Sequence, residues 1–156
     1  MKSDSLLRHI VVPFAIALLV YVVFYAVIEH RRTVKGPWRV TFTSNASHQP
    51  ALLIDQPALG ITNAGVVFKD QIFATNFAGK VLTFEQPRPV PFDVPFGKCL
   101  FMDTTFLPGT LVLDAFGHEV QMLPRTLLID RKEQGWHSGT TLLISGTNVV
   151  RNGVGN

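Results

Sequence analysis

The longest uninterrupted pattern along the chain runs from Ile10 to Ile28, where every position is apolar or aromatic and no charge, amide or glycine intervenes. At about 1.5 Å of rise per residue this run makes a helix roughly 28 Å long, close to the roughly 30 Å hydrocarbon core of a bilayer. Inside hydrocarbon every backbone N–H and C=O needs an internal partner, so the run is predicted to be a transmembrane helix although Val and Ile are indifferent helix formers in water. Pro13 falls in its first turn, where a missing N–H costs little. Arg8 and His9 on one side, and Glu29, His30, Arg31 and Arg32 on the other, fix its depth. A cleaved signal peptide is the competing reading, but its apolar region spans about 7 to 15 residues and ends at a small-x-small site. Here the run is longer and its nearest small pair, Ala15 and Ala17, falls mid-run. The segment is expected to stay as an anchor.

After Gly36 and Pro37 the period changes to two: Trp38, Val40 and Phe42 alternate with Arg39, Thr41 and Thr43, the pattern of a half-buried strand. Ser44 to Gln49 reads as a loop, and Ala51 to Ile54 as a short strand buried on both faces. Asp55 to Gly60 is a turn. Ile61 to Phe68, Ile72 to Thr75 and Val81 to Phe84 are further strand candidates. Pro87, Pro89, Pro91 and Pro95 remove backbone donors, so Gln86 to Phe96 is expected to run extended along an edge. Lys98 to Thr104 is the next strand. Thr110 to Asp114 and Glu119 to Met122 flank Ala115-Phe116-Gly117-His118, the clearest hairpin in the chain. Arg125 to Asp130 is a strand, Arg131 to Gly135 a charged turn and Trp136 to Ile144 a last strand.

About nine short strands with no amphipathic helix between them indicate an antiparallel sandwich or a small closed barrel, of which the sandwich is the expected form. The expected fold class is an N-terminal single transmembrane α-helix followed by an all-β antiparallel, jelly-roll-like sandwich. Its parts are a short tail (1–9), the transmembrane helix (10–28), a basic juxtamembrane linker (29–37), the β-sandwich (38–144) and a flexible tail (145–156).

Composition strengthens the membrane setting and narrows the partners. Only 16% of the 156 residues are charged, against roughly 25% in ordinary soluble domains. The formal charge is +3, yet no Lys/Arg block is interleaved with aromatics, so nucleic acid is not an expected partner. Arg31, Arg32, Lys35 and Arg39 sit beside the apolar run, where anionic headgroups are the natural counter-charge. Basic residues flank both ends and the positive-inside rule is nearly balanced, tilting slightly to a cytoplasmic β domain. A short basic tail before an apolar run is nonetheless the layout of an uncleaved signal-anchor, which places the β domain outside the cytoplasm, in a periplasmic-type compartment.

Candidate chemistry is sparse. A lone Cys99 excludes an intrachain disulfide, and without a CxxCH motif c-type haem attachment is not expected. Cys99 lies in an apolar run and reads as a small buried hydrophobe. His9, His30, His48, His118 and His137 are not spaced as metal pairs, and no cofactor or metal is expected. The most suggestive cluster is Trp136-His137-Ser138-Gly139, with Asp114, His118, Glu119 and Asp130 in neighbouring segments. There is no GxSxG elbow, and an adjacent His and Ser on a strand face opposite ways. Asn45-Ala46-Ser47 matches a glycosylation sequon, a pattern common by chance.

Membrane or partner contact candidates are Tyr21 and Tyr25, one helical turn apart, with Arg31, Arg32, Trp38 and Trp136. The small Ala15, Ala17 and Ala26 mark a possible docking side. The expected role is a non-catalytic accessory subunit of a larger membrane complex, with membrane lipids and membrane-protein subunits as partners. The alternatives are a tethered glycan- or ligand-binding module, signalled by an exposed Trp136 in a concave surface, and a hydrolase using Ser138 and His137.

Overall fold

The computed structural model describes residues 3–75, 77–146 and 148–152, and the side chains of 3–7, 32–34 and 148–152 lie outside that description. The chain divides into two compact units, Met1–Val34 and Lys35–Asn156.

The first unit is one helix, α1 (Ser3–Lys35), with Pro13 inside it. The helix begins in what was expected to be the tail 1–9 and takes up most of the expected linker 29–37. Nothing in Glu29–Lys35 opposes helix, and basic residues in the last turns suit the negative end of the helix dipole. The stop comes at Gly36, whose φ of +66° is the left-handed conformation that ends helices, followed by Pro37. Residues 1 and 2 lie outside the described part. The segment Arg8–Arg31 is long and apolar enough to cross a membrane, and none of its apolar window is buried.

The second unit is a β-sandwich. Its first four strands are β1 (Trp38–Ser44), β2 (Pro50–Gln56), β3 (Ile61–Phe68) and β4 (Lys80–Phe84). The next six are β5 (Phe92–Val94), β6 (Gly97–Met102), β7 (Leu111–Ala115), β8 (His118–Met122), β9 (Leu127–Ile129) and β10 (Lys132–Gln134). The chain then returns with β11 (Thr141–Ser145) and β12 (Asn148–Asn152). Among the described residues these form two six-stranded sheets, ordered β12-β11-β3-β2-β1-β4 and β10-β9-β8-β7-β6-β5. The second sheet is an uninterrupted antiparallel meander, a simpler winding than the two Greek keys of a jelly roll. In the first sheet β3 and β11 run parallel, the one exception to antiparallel pairing among the described ladders.

Alternation decides what faces inward. Trp38, Val40 and Phe42 of β1, and Leu52 and Ile54 of β2, meet Leu111, Leu113, Val120, Met122 and Ile129 from the second sheet in a single core. The core joins both sheets because period-two patterning gives each strand one apolar face.

Four segments depart from the sequence reading. Ile72 to Thr75 is a loop, because Phe73 turns its ring onto Phe96 and Phe116 and gives its amide to the His48 carbonyl. The charged stretch after Asp130 returns as β10, because Asp130 and Arg131 both take positive φ and make a two-residue hairpin turn. Trp136 to Thr140 is a loop, and the last inner strand starts at Thr141. The expected flexible tail contains β12, which pairs along β11 from Ser145↔Asn148 to Thr141↔Asn152. Residues 153–156 lie outside the described part.

The two ends of the sandwich differ, separated by the roughly 20 Å length of a seven-residue strand. At one end, Phe42, Phe68, Phe73, Phe77, Phe96 and Phe116 form a web of rings with centroids 5.1–6.3 Å apart. Phe96 and Phe116 sit at hairpin tips with φ of 75° and 55°. Such a conformation costs a bulky residue on the order of 1–2 kcal/mol, which the ring contacts offset. At the other end the chain enters through Gly36 and Pro37, whose carbonyls accept the side-chain amide of Gln56 at 2.9 and 3.0 Å. Gln56 is only 1% exposed, and its carbonyl accepts the Ala58 amide, so this buried polar group is satisfied and clasps the first residues of the domain.

Candidate functional site

The helix carries the first group of candidates. Tyr21 and Tyr25 stack with ring centroids 6.4 Å apart and an interplanar angle of 23°, as i, i+4 spacing allows. Both rings are exposed, as are Arg31 and every large apolar side chain from Ile10 to Ile28. The side chain of Arg32 lies outside the described residues.

Trp38 is placed otherwise than at a headgroup or partner contact. It is 2% exposed, its ring stacks on Trp136 at 5.2 Å, and its indole N–H donates to the Gly109 carbonyl at 2.7 Å. As the first inward residue of β1 it is consumed by the core and leaves no surface for lipid. Trp136 is half-buried, and its indole N–H donates to the Leu123 carbonyl at 2.9 Å. The cleft beside it, lined by Ala64, Gly65, Leu127, His137, Thr140 and Leu142 among others, has about 10 Å³ of free volume. That is room for about one water molecule, far short of a sugar ring. The indole pair holds the two sheets together and is not a stacking platform.

The Ser–His cluster is also structural. The Ser138 hydroxyl donates to the Gly60 carbonyl at 2.8 Å and accepts the Thr62 amide at 3.0 Å. Gly139 N–H, in turn, donates to the Thr62 carbonyl. Both roles of the hydroxyl are spent on clipping the 135–140 loop to the start of β3.

The one histidine–carboxylate pair in this region is His118 Nδ1 with Asp130 Oδ2 at 2.7 Å, and the His118 ring lies 5.9 Å from Phe68. Phe68 and Thr62 are at opposite ends of β3, so the pair and Ser138 are on the order of 20 Å apart. No proton can pass between them directly, and the geometry of a triad is not met. Asp130 also accepts the Glu119 amide through Oδ1 at 3.0 Å, which holds the β9–β10 turn. Exposed His137 follows Trp136 in the loop.

Cys99 is fully buried on β6. Burial pushes its thiol up from the usual 9.0 to about 11, against a smaller lowering effect from the Phe101 backbone. Burial and a raised pKa both fit a thiol that packs as a small hydrophobe. No group of three or more His, Cys, Asp or Glu among the described residues is placed to hold a metal ion. Asn45 of the sequon uses its own side chain in the turn: Oδ1 accepts the Ser47 and Gln49 amides, and Nδ2 donates to Gln49 Oε1.

Sequence reasoning missed a feature of the loop between β6 and β7. Its base is closed by the Asp103 amide on the Thr110 carbonyl at 2.8 Å, and Asp103 Oδ1 accepts the Thr105 amide at 2.8 Å. Gly109 packs so closely that a Cβ there would stand 1.6 Å from the Asp103 carbonyl oxygen. From this braced loop Phe106 projects with 62% of its surface exposed. The signal available beforehand was an aromatic beside Leu107-Pro108-Gly109, a turn motif with an apolar tip.

The fold and its surfaces define a protein with one N-terminal apolar helix followed by a two-sheet β-sandwich. In this sandwich the polar side chains most suggestive of chemistry serve the fold. Comparison with known protein families, with curated proteins and with solved structures finds no match.

Proposed function

We propose that this chain is a non-catalytic, membrane-anchored accessory subunit that acts through its surfaces. In this reading the helix spans the bilayer once and docks on helices of a partner, and the β-sandwich lies on the extracytoplasmic face and covers that partner at the membrane surface. The observation that carries it is the unburied apolar helix: from Ile10 to Ile28 each large apolar side chain is exposed, and only lipid or other apolar helices can cover such a surface. The Tyr21–Tyr25 ridge, one turn from Ala17, offers a shape that a neighbouring helix can pack against. The engagement of Ser138, Trp38, Trp136 and Cys99 in hydrogen bonds and packing of the fold supports a surface role.

The test is native electrophoresis of the protein extracted in mild detergent at its natural abundance. A complex containing a second membrane protein is expected, which Tyr21→Ala/Tyr25→Ala should weaken while the protein stays in the membrane fraction after alkaline carbonate washing. Migration as a lone monomer overturns the subunit role. Release by carbonate, or a mature chain that begins after residue 28, overturns the anchor. A protease added to intact cells or spheroplasts reads the side: digestion of the β domain is expected, and full protection places it in the cytoplasm.

A further inference from the structure

We infer that the end of the β-sandwich carrying the two tryptophans is a lipid-contact surface, with Phe106 at the tip of the Asp103–Thr110 loop inserted at the bilayer interface. This rests on the anchor proposed above and adds a second, independent point of membrane contact.

The first ground is covalent reach. Helix α1 ends at Lys35, about 10 Å beyond Ile28 at ~1.5 Å per residue, at the outer edge of a headgroup layer roughly 5–7 Å deep. Only Gly36 and Pro37 separate it from β1, and Gln56 ties both of their carbonyls to the domain. Trp38, the next residue, is bonded through its indole to Gly109. Phe106 is three residues from Gly109, hence within about 11 Å of it at 3.8 Å per Cα step. The tip of this loop is therefore tethered, through three linked elements, to the point where the chain leaves the headgroup zone.

The second ground is how the loop is built. A single exposed aromatic on a mobile loop signifies little. Here the loop is closed at its base by Asp103 and Thr110, capped by the Asp103 carboxylate and packed tightly at Gly109, so less backbone entropy is lost when Phe106 meets lipid. Moving such a ring into the interfacial layer removes its apolar area from water, which favours shallow insertion.

The third ground is the company Phe106 keeps. Half-exposed Val90 and exposed Arg88 and Arg125 lie in the other loops at this end, against Glu85 and Asp103. Arg88 is stacked 5.6 Å from the Phe92 ring centroid. Carboxylates balance the arginines at this end, so it is the apolar tips that fit the bilayer interface, where aromatic side chains are favoured. The opposite end also bears an exposed apolar residue, Ile72, 73% exposed, which serves as the internal comparison.

The experiment uses the full-length chain reconstituted in vesicles of phosphatidylcholine doped with phosphatidylglycerol. Single cysteines are introduced by Phe106→Cys, Thr105→Cys, Ile72→Cys and Val20→Cys and labelled with a polarity-sensitive fluorophore. Cys99 is buried and stays unlabelled in the native protein. Lipids carrying a spin-label quencher just below the headgroup read depth. Quenching at position 106, and to a lesser degree at 105, is expected to exceed that at 72 several-fold, and Val20→Cys is expected to be quenched by deep-chain spin labels. Quenching at 20 without quenching at 106 or 105 overturns this inference and leaves the anchor standing. Equal quenching at 72 and 106 overturns it also, because contact is then not specific to this end. No quenching at 20 overturns the anchor and the inference with it.

Discussion

Replacing Trp38 by phenylalanine tests whether the indole pair is the keystone of the sandwich. The substitution keeps an aromatic ring on the inward face of β1 but removes the donor to Gly109, leaving a buried carbonyl that costs about 1–3 kcal/mol when unsatisfied. The smaller ring leaves a void of roughly 30–40 Å³, or about 1 kcal/mol at ~24 cal/mol per Å³. Part of the stacking on Trp136, worth about 0.5–1.5 kcal/mol, is lost as well. Together these predict a destabilisation of about 3 kcal/mol, a large share of the ~5–15 kcal/mol that holds a typical domain. Trp136→Phe should cost only about 1 kcal/mol, because Trp136 is half-buried and water can replace it at the Leu123 carbonyl. Guanidinium unfolding of the full chain in detergent micelles, followed by circular dichroism, measures both. The stacked indoles give an exciton couplet that either substitution removes. A Trp38→Phe midpoint corresponding to less than about 0.5 kcal/mol, or a larger loss at Trp136 than at Trp38, refutes the placement of Trp38 as a buried donor.

Phe96→Ala, at the centre of the ring web at the other end, should cost about 2–4 kcal/mol and loosen the 69–79 loop; hydrogen exchange at the Phe73 amide reads the loop directly, and unchanged protection there contradicts the web. Ser138→Ala should lower stability by about 1 kcal/mol through two lost hydrogen bonds and leave any hydrolytic activity of the preparation unchanged; a specific loss of such activity would falsify the structural role. Cys99 should resist alkylation near neutral pH until the domain unfolds. Because its folded pKa, about 11, is raised above 9.0, the stability held in the neutral thiol is complete below about pH 9 and is lost as pH rises to about 11. This loss amounts to about 3 kcal/mol. The alkaline loss should be smaller by that amount in Cys99→Ala, and equal slopes for the two proteins would count against burial of the thiol.

The sequence made legible whatever depends on local pattern. The apolar run, the strand from Trp38 and the Phe116–Gly117 hairpin follow from period and turn chemistry, and the structure has each of them. What stayed hidden depends on distant partners. Phe73 sits in a run that reads as strand, yet its ring is worth more in the web with Phe96 and Phe116. Asp130-Arg131 reads as part of a charged turn and strand end, and only the tight positive-φ corner makes β10 possible. Trp38 looks interfacial by its distance from the apolar run, but its alternation with Val40 and Phe42 already placed it inward, and that signal was the better guide. Ser138 illustrates the limit for sites: its residue type suggested chemistry, and the partners that consume its hydroxyl, Gly60 and Thr62, lie far away in sequence.

The winding of the two sheets has a consequence for how the protein is made. The meander from Phe92 to Gln134 joins each strand to its sequence neighbour, so it has short loops to close and is suited to form early, while the ribosome still holds the rest of the chain. The other sheet is finished only when Thr141–Ser145 slots in beside Gly65–Phe68, which are already long synthesised. Until Thr141–Ser145 has emerged and paired, the β3 edge stays open. Chains stalled or clipped near residue 140 would display that bare strand to their neighbours, and they are the species most prone to aggregate.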